Sequence, residues 1–407
     1  MLQESRSGSK KTDWRIVTIV TLAGVVAAMQ LGKVPPAIPA LSADLGVGMV
    51  TAGWVVSVFS LMAATLAIAV GIFADRMAIA KVIAAGITLL LLGAIAGGYA
   101  QGGLSLIAAR ALAGLGLVSI AVAAPRMIVG ATHPRDHGLA LGFWSIYMPA
   151  GIALGMLLTP LLLTMFDWRG VWFANGLLLL AFLTLFLLAI RSLALNDPPP
   201  KRGGGWNNLL HDLRKVTHVP GPWLLAAIFA CYTIPYFAMM TWFPLFLIET
   251  QGKDVTTAAA FGALVVAANI IGNLGGAWLL HRGGRRWWLQ LIAFVVMGFC
   301  AVGIFSPLLG AEWKIPLAFL FSTVGGLLPA AILAASAVHS PALGQVATVN
   351  GVIVQGANCG SLSGPPLMAA VVAVSGGWLG AWWLTLVCVG VGILLVLKLR
   401  AVEARFS

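Results

Sequence analysis

Twelve apolar runs, most of them twenty residues or longer, recur along the chain, and they leave no room for a soluble fold. A helix rising 1.5 Å per residue needs about 20 residues to cross a hydrocarbon layer ~30 Å thick. The runs fall near 15–41, 48–73, 79–100, 104–130, 138–163, 170–191, 222–248, 257–281, 287–306, 314–337, 344–373 and 376–398. Only 9% of the 407 residues are charged and 60% are hydrophobic, whereas a soluble domain carries about 25% charge. The chain is expected to be an all-α integral membrane protein. Its opening, MLQESRSGSKKTDWR, is followed by no small-residue cleavage site, so the first run reads as a retained helix.

The longest polar interruption, RSLALNDPPPKRGGGWNNLLHDLRKVTHVPGP, separates the sixth run from the seventh. Its Pro-Pro-Pro, Gly-Gly-Gly and basic residues mark a linker. The expected division is a six-helix bundle over 1–191, a linker over 192–221 and a second six-helix bundle over 222–407. Arginine and lysine are counted toward the cytoplasmic side of a membrane protein. The side holding the N-terminus receives Lys10, Lys11, Arg15, Arg76, Lys81, Arg135, Arg191, Lys201, Arg202, Arg282, Arg285, Arg286 and Arg400, among others. The opposite loops receive Arg169, Lys253 and Lys314. Both termini are therefore expected in the cytoplasm, and the net charge of +12 reads as topology, not nucleic-acid binding. The four cysteines fall inside apolar runs and show no metal spacing, so they read as small apolar fillers.

Several loops carry a family pattern. GIFADRMAIAK, Gly71 to Lys81, resembles the G-x-L-A-D-R-x-G-R-R/K loop of the major facilitator superfamily, with Gly71, Asp75, Arg76 and Lys81 matching and Ala78 in place of the second glycine. GGAWLLHRGGRR, Gly275 to Arg286, resembles a degenerate second copy in which His281 replaces the aspartate. RALAGLG, DWRGVWFANG and YMPAGIALG are similar to the family's fourth helix, its fifth loop with the entry to the sixth helix, and its fifth helix. The resemblance implies twelve helices in two pseudo-symmetric bundles and residence in the inner (cytoplasmic) membrane of a bacterial cell. It also implies secondary active transport of a small molecule, with no enzyme activity and no cofactor. By the same resemblance Gly71, Asp75, Arg76, Lys81 and Arg282 would govern conformational gating. Gly114, Gly116, Gly151, Gly155, Gly272, Gly275 and Gly276 suit helices that approach closely.

Two formal charges stand inside the runs, Lys33 and Arg110. At 1.5 Å per residue they lie about 12 Å and about 9 Å from the outer ends of their spans. All six histidines read as loop or loop-edge residues, and no carboxylate reads as buried. In the superfamily these two spans line a central cavity. Two cations at matched depth with no acid between them describe an anion site. Two other readings stand beside this one: Lys33 could snorkel to the outer interface, and Arg110 could bond backbone carbonyls to serve packing or gating.

Gln30, Trp54, Trp144, Tyr147, Tyr232, Tyr236, Asn269, Asn273, Gln355 and Asn358 are the neutral candidates for lining the cavity, and interhelical hydrogen bonding is their plainer role. Tyr232/Tyr236 and Asn269/Asn273 each share a helix face at i,i+4 spacing. Trp54 also fits an interfacial aromatic belt. The expectation is a monomeric transporter, surrounded by lipid, of a small anion such as an organic acid or a cyanate-like ion. Either a coupling proton, for which Lys33 is a carrier, or a counter-anion would drive it. The alternative is a proton-driven exporter of amphipathic drugs or metabolites. In exporters similar to that class an acid stands nine residues before an LP-turn proline. Aligning on Pro39 puts Gln30 there instead.

Overall fold

The computed structural model describes residues 12–74, 77–133, 136–192, 219–335, 338–339 and 346–403. Among these, twelve helical segments are long and apolar enough to cross a membrane. The first half contains α1 (Trp14–Gly32), α2 (Val34–Leu45), α3 (Met49–Ala74), α4 (Ile79–Gly98), α5 (Gly103–Ala131), α6 (His137–Ser145), α7 (Tyr147–Leu163) and α8 (Trp168–Ser192). The second contains α9 (Pro220–Gln251), α10 (Val255–His281), α11 (Arg286–Phe305), α12 (Lys314–Gly325), α13 (Leu327–Ala335), α14 (Val346–Val374) and α15 (Trp382–Glu403). We call the face at the start of α1 and the end of α15 the near face, and its opposite the far face. Most of the linker, and Asp75 and Arg76 of the family loop, lie outside the described residues.

Three spans that read as continuous in the sequence are broken. The first breaks at Lys33, the fifth at Ile146 and the tenth at Gly326. Each break precedes a proline: Pro35 and Pro36, Pro149, and Pro329. Proline has no N–H, so the carbonyl four residues earlier loses its helical partner, and the ring crowds that same turn.

The two halves repeat each other. Within the first, α1 packs on α7, α4 on α5 and α8, and α3 on α5; within the second, α9 packs on α14, α11 on α12 and α15, and α10 on α12. Between the halves, α3 meets α14 and α7 meets α10, again a symmetric exchange. α2 also touches α9 and α10, joining the halves toward the far face. The far-face ends are tied in the same manner in both halves. The Trp168 indole donates to Asp44 at 2.9 Å, and the Trp378 indole donates to Glu249 at 2.7 Å.

Glycine sets the closest approaches. A Cβ on Gly151 or Gly155 would meet the α1 backbone at Val25 O or Met29 O. In the second half Gly356, Gly360 and Gly364 lie four apart on α14 and press on Ala226, Ala230 and Ile234 of α9. Gly275 departs from its expected role. Nothing lies within 4 Å of where its Cβ would stand, so it does not serve close packing.

Candidate functional site

Gln30 is the hub of a buried polar node in the first half. Its Oε1 accepts from the Lys33 ammonium at 2.7 Å, and its Nε2 donates to Asn175 Oδ1 at 3.1 Å. Its backbone carbonyl accepts from the Arg110 guanidinium, whose Nε donates to Val55 O at 2.9 Å. The break after Gly32 carries Lys33, α5 carries Arg110 and α8 carries Asn175, so three spans converge on one glutamine. Aromatic faces close the node. The Lys33 ammonium sits 4.3 Å from the Trp172 ring centre, and the Arg110 guanidinium sits 3.9 Å from that of Phe59. A desolvated cation over an aromatic face gains about 2 kcal/mol.

Lys33 is 1% exposed and Arg110 2%. Lys33 therefore does not snorkel: its ammonium is folded back on Gln30, not extended to the interface. Among the described residues no carboxylate pairs with either cation, and Arg110 Nη2 has no hydrogen-bond partner. Lysine has three donors and arginine five, so both keep N–H groups for a further acceptor. A cavity of about 140 Å³ between Met29, Gly155, Thr159 and Asn175 reaches the edge of the node.

The other candidates form separate groups. In the second half Asn269 donates to Tyr232 Oη and to Ser322 O, each at 3.0 Å, and Asn273 donates to Asn269 Oδ1 at 2.7 Å. Tyr236 stacks on Tyr232 with centroids 5.3 Å apart. Trp144 stacks on Tyr147 at 4.1 Å. Gln355 donates across the halves to Ala64 O, and Ser361 to Ser60 Oγ at 2.7 Å, so this stretch of α14 forms a seam with α3. Asn358 bonds within its own helix, to Val354 O at 3.0 Å. Trp54 is 42% exposed, near the far-face end of α3. Gly71 lies on the last turns of α3, Lys81 is exposed on the first turn of α4, and Arg282 covers the Trp278 ring at 4.3 Å.

Asn175, Trp172 and Phe59 join the node without standing among the sequence candidates. Asn175 had a visible cue, a lone amide within the apolar sixth span and one turn after Trp172. His339 stands in a turn, in keeping with its loop-edge reading. Its side chain is buried, with Nε2 3.1 Å from Glu403 Oε1, and Glu403 itself is only 17% exposed.

Residues 20–357 match the Major Facilitator Superfamily profile. The chain belongs to that superfamily. It is a multi-pass membrane transporter and not an enzyme. Similar superfamily members include the putative niacin/nicotinamide transporter NiaP of Bacillus subtilis, 22% identical over 67% of this chain and 68% of that protein. The probable sulfoacetate transporter SauU of Cupriavidus necator is 24% identical over 68% of this chain and 66% of its own length. The methyl viologen resistance protein SmvA of Salmonella typhimurium is 28% identical over 40% of this chain and 33% of its own length. A crystal structure of a bacterial homologue of the human lysosomal transporter Spinster, inward-facing and occupied, superposes with a TM-score of 0.79 at 15% identity, covering 98% of both chains. At that identity the likeness concerns the superfamily fold alone.

Proposed function

We propose that this superfamily member carries a small anion, an organic acid or a cyanate-like ion, by rocking its two halves about the buried node. One observation supports the reading: Lys33 and Arg110 are buried on the same glutamine without a compensating carboxylate among the described residues. A buried cation left unpaired is costly, and an anion admitted beside it removes that cost. Arg110 and Lys33 would hold the charge. Gln30, Trp54, Tyr147, Tyr232, Tyr236, Asn269, Asn273, Gln355 and Asn358 would orient the substrate, and Gly71, Asp75, Arg76, Lys81 and Arg282 would gate the cycle. Coupling is assigned to a proton or to a counter-anion. The name of SauU, which mentions sulfoacetate, is in keeping with an acid as cargo, while that of NiaP mentions both the acid niacin and the neutral nicotinamide.

A thermal-shift panel on the purified full chain tests this. Small carboxylates and inorganic anions should raise the midpoint, and ligand at 100 times its dissociation constant stabilises by about 2.7 kcal/mol. In Lys33→Met that response should vanish. Stabilisation by amphipathic cations alone would favour the exporter instead, the reading that the name of SmvA suggests.

The reading also takes 1–191 and 222–407 as the moving halves, 192–221 as their connector, and the near face as cytoplasmic in the inner membrane, with the chain acting as a monomer. Single cysteines at position 2 and beside Lys253 should then label from opposite sides. Labelling from one side would refute the orientation.

A further inference from the structure

The near-face ends of α11 and α15 gather charges of which the transport reading uses Arg282 alone. Arg282, Arg285 and Arg286 stand at the turn from α10 into α11, and Lys398 and Arg400 stand at the end of α15. α11 and α15 pack side by side, and Arg286 of the first reaches Glu403 of the second. The Arg400 guanidinium lies over the Trp287 ring at 4.2 Å, and Trp287 stacks on Trp288 at 4.8 Å. Glu403 is the one acid ion-paired in this cluster among the described residues, and its carboxylate is taken by Arg286 at 3.5 Å and His339 at 3.1 Å. Arg285 and Arg400 stay exposed, with no carboxylate partner among the described residues.

Deeper in the span, both helices turn apolar side chains outward. On α11 these are Trp288, Ile292, Val295 and Phe299, each 43% exposed or more. Their spacing keeps them on one helix face. On α15, Val387, Val391, Leu394 and Leu397 form a matching stripe that ends just before Arg400. From Trp288 to Phe299 the stripe runs about 16 Å along the helix. Cationic groups at the membrane surface above two apolar stripes match one shape, a phospholipid with its phosphate at the arginines.

We propose that the α11–α15 seam binds an anionic phospholipid, with the headgroup phosphate held between Arg285 and Arg400 against Trp287. Guanidinium groups suit phosphate because they donate two parallel hydrogen bonds. Any basic surface draws anionic lipid, at about 1 kcal/mol per side chain. A site is distinguished from that background by contributions from two helices over one indole.

Native mass spectrometry of the detergent-solubilised full chain can count retained lipid. Phosphatidylglycerol should be retained over phosphatidylcholine of the same acyl chains. Arg285→Gln/Arg400→Gln should weaken that retention roughly tenfold. Arg15→Gln/Arg191→Gln removes the same charge elsewhere on the near face and should change it by less than about twofold. An equal loss in both pairs would mean diffuse attraction and overturn the site. Displacement of phosphatidylglycerol by millimolar inorganic phosphate would overturn the lipid assignment, because a free phosphate would then suffice.

Discussion

Lys33 is held by Gln30 of its own span and by the Trp172 ring of the sixth, and this decides how its substitution will behave. Its position as a lone cation in an apolar run is legible from sequence alone. Its hydrogen bond to Gln30 is local, three residues away, but the rest of the node is not legible, because Gln30 meets Asn175 across 145 residues and Arg110 meets Gln30 across 80. Helix packing chooses those partners, and one chain's residue order does not encode packing at that range. Under the anion reading, Lys33→Ala should cost on the order of 2–4 kcal/mol of anion binding, as for truncating one member of a buried charged pair. Lys33→Arg should keep part of it, since the charge remains while its geometry changes. Lys33→Ala also leaves Gln30 Oε1 without its donor, a separate stability loss of about 1–3 kcal/mol. Calorimetric titration with the anion from the thermal panel separates the two effects. A lower unliganded midpoint with unchanged affinity would reduce Lys33 to a structural role.

At the scale of single helices, existence was legible and interruption was not. Length and apolarity located each span, but Pro35, Pro36, Pro149 and Pro329 were not read as breaks. Their cost depends on whether neighbours can take over the freed carbonyls. Glycine shows the same limit. Gly275 stands beside packing glycines yet faces open space, while Gly356, Gly360 and Gly364, four apart, all press on α9. Residue type alone cannot tell a helix face that touches another backbone from one that does not. Gly360→Leu should therefore lower the thermal midpoint sharply, because its Cβ would meet Thr233 Oγ1 and the Ala230 backbone. Overpacking of this kind costs about 1–3 kcal/mol, and more where backbone must move. Gly390→Leu on α15, with nothing within 4 Å of the added carbon, is the matched control. Equal midpoints for the two variants would refute the close α9–α14 approach.

Across the whole molecule the repeat is the organising fact: α3 meets α14 as α10 meets α7, and one indole–carboxylate tie closes the far face of each half. Such an arrangement suits two rigid bodies that exchange contacts along two seams. The halves themselves were legible, since a polar linker divides two sets of six apolar runs. The seam was not, because Gln355 reads as a cavity amide until its donation across to Ala64 O is seen. Ser60 and Ser361 give the sharpest test of movement there. Their oxygens lie 2.7 Å apart on opposite halves, close enough for a cysteine pair to reach disulfide geometry. The exposed Cys359 two residues away must first become serine, so that a single pairing can form. Oxidised Ser60→Cys/Ser361→Cys in that background should abolish uptake, into proteoliposomes, of the anion identified by the thermal panel. Reductant should restore it, whereas the reduced pair and each single variant should transport normally. A cross-linked protein, verified by loss of free thiol, that still transports at the wild-type rate would show that α3 and α14 do not part during the cycle, and the rocking of the two halves would have to be abandoned.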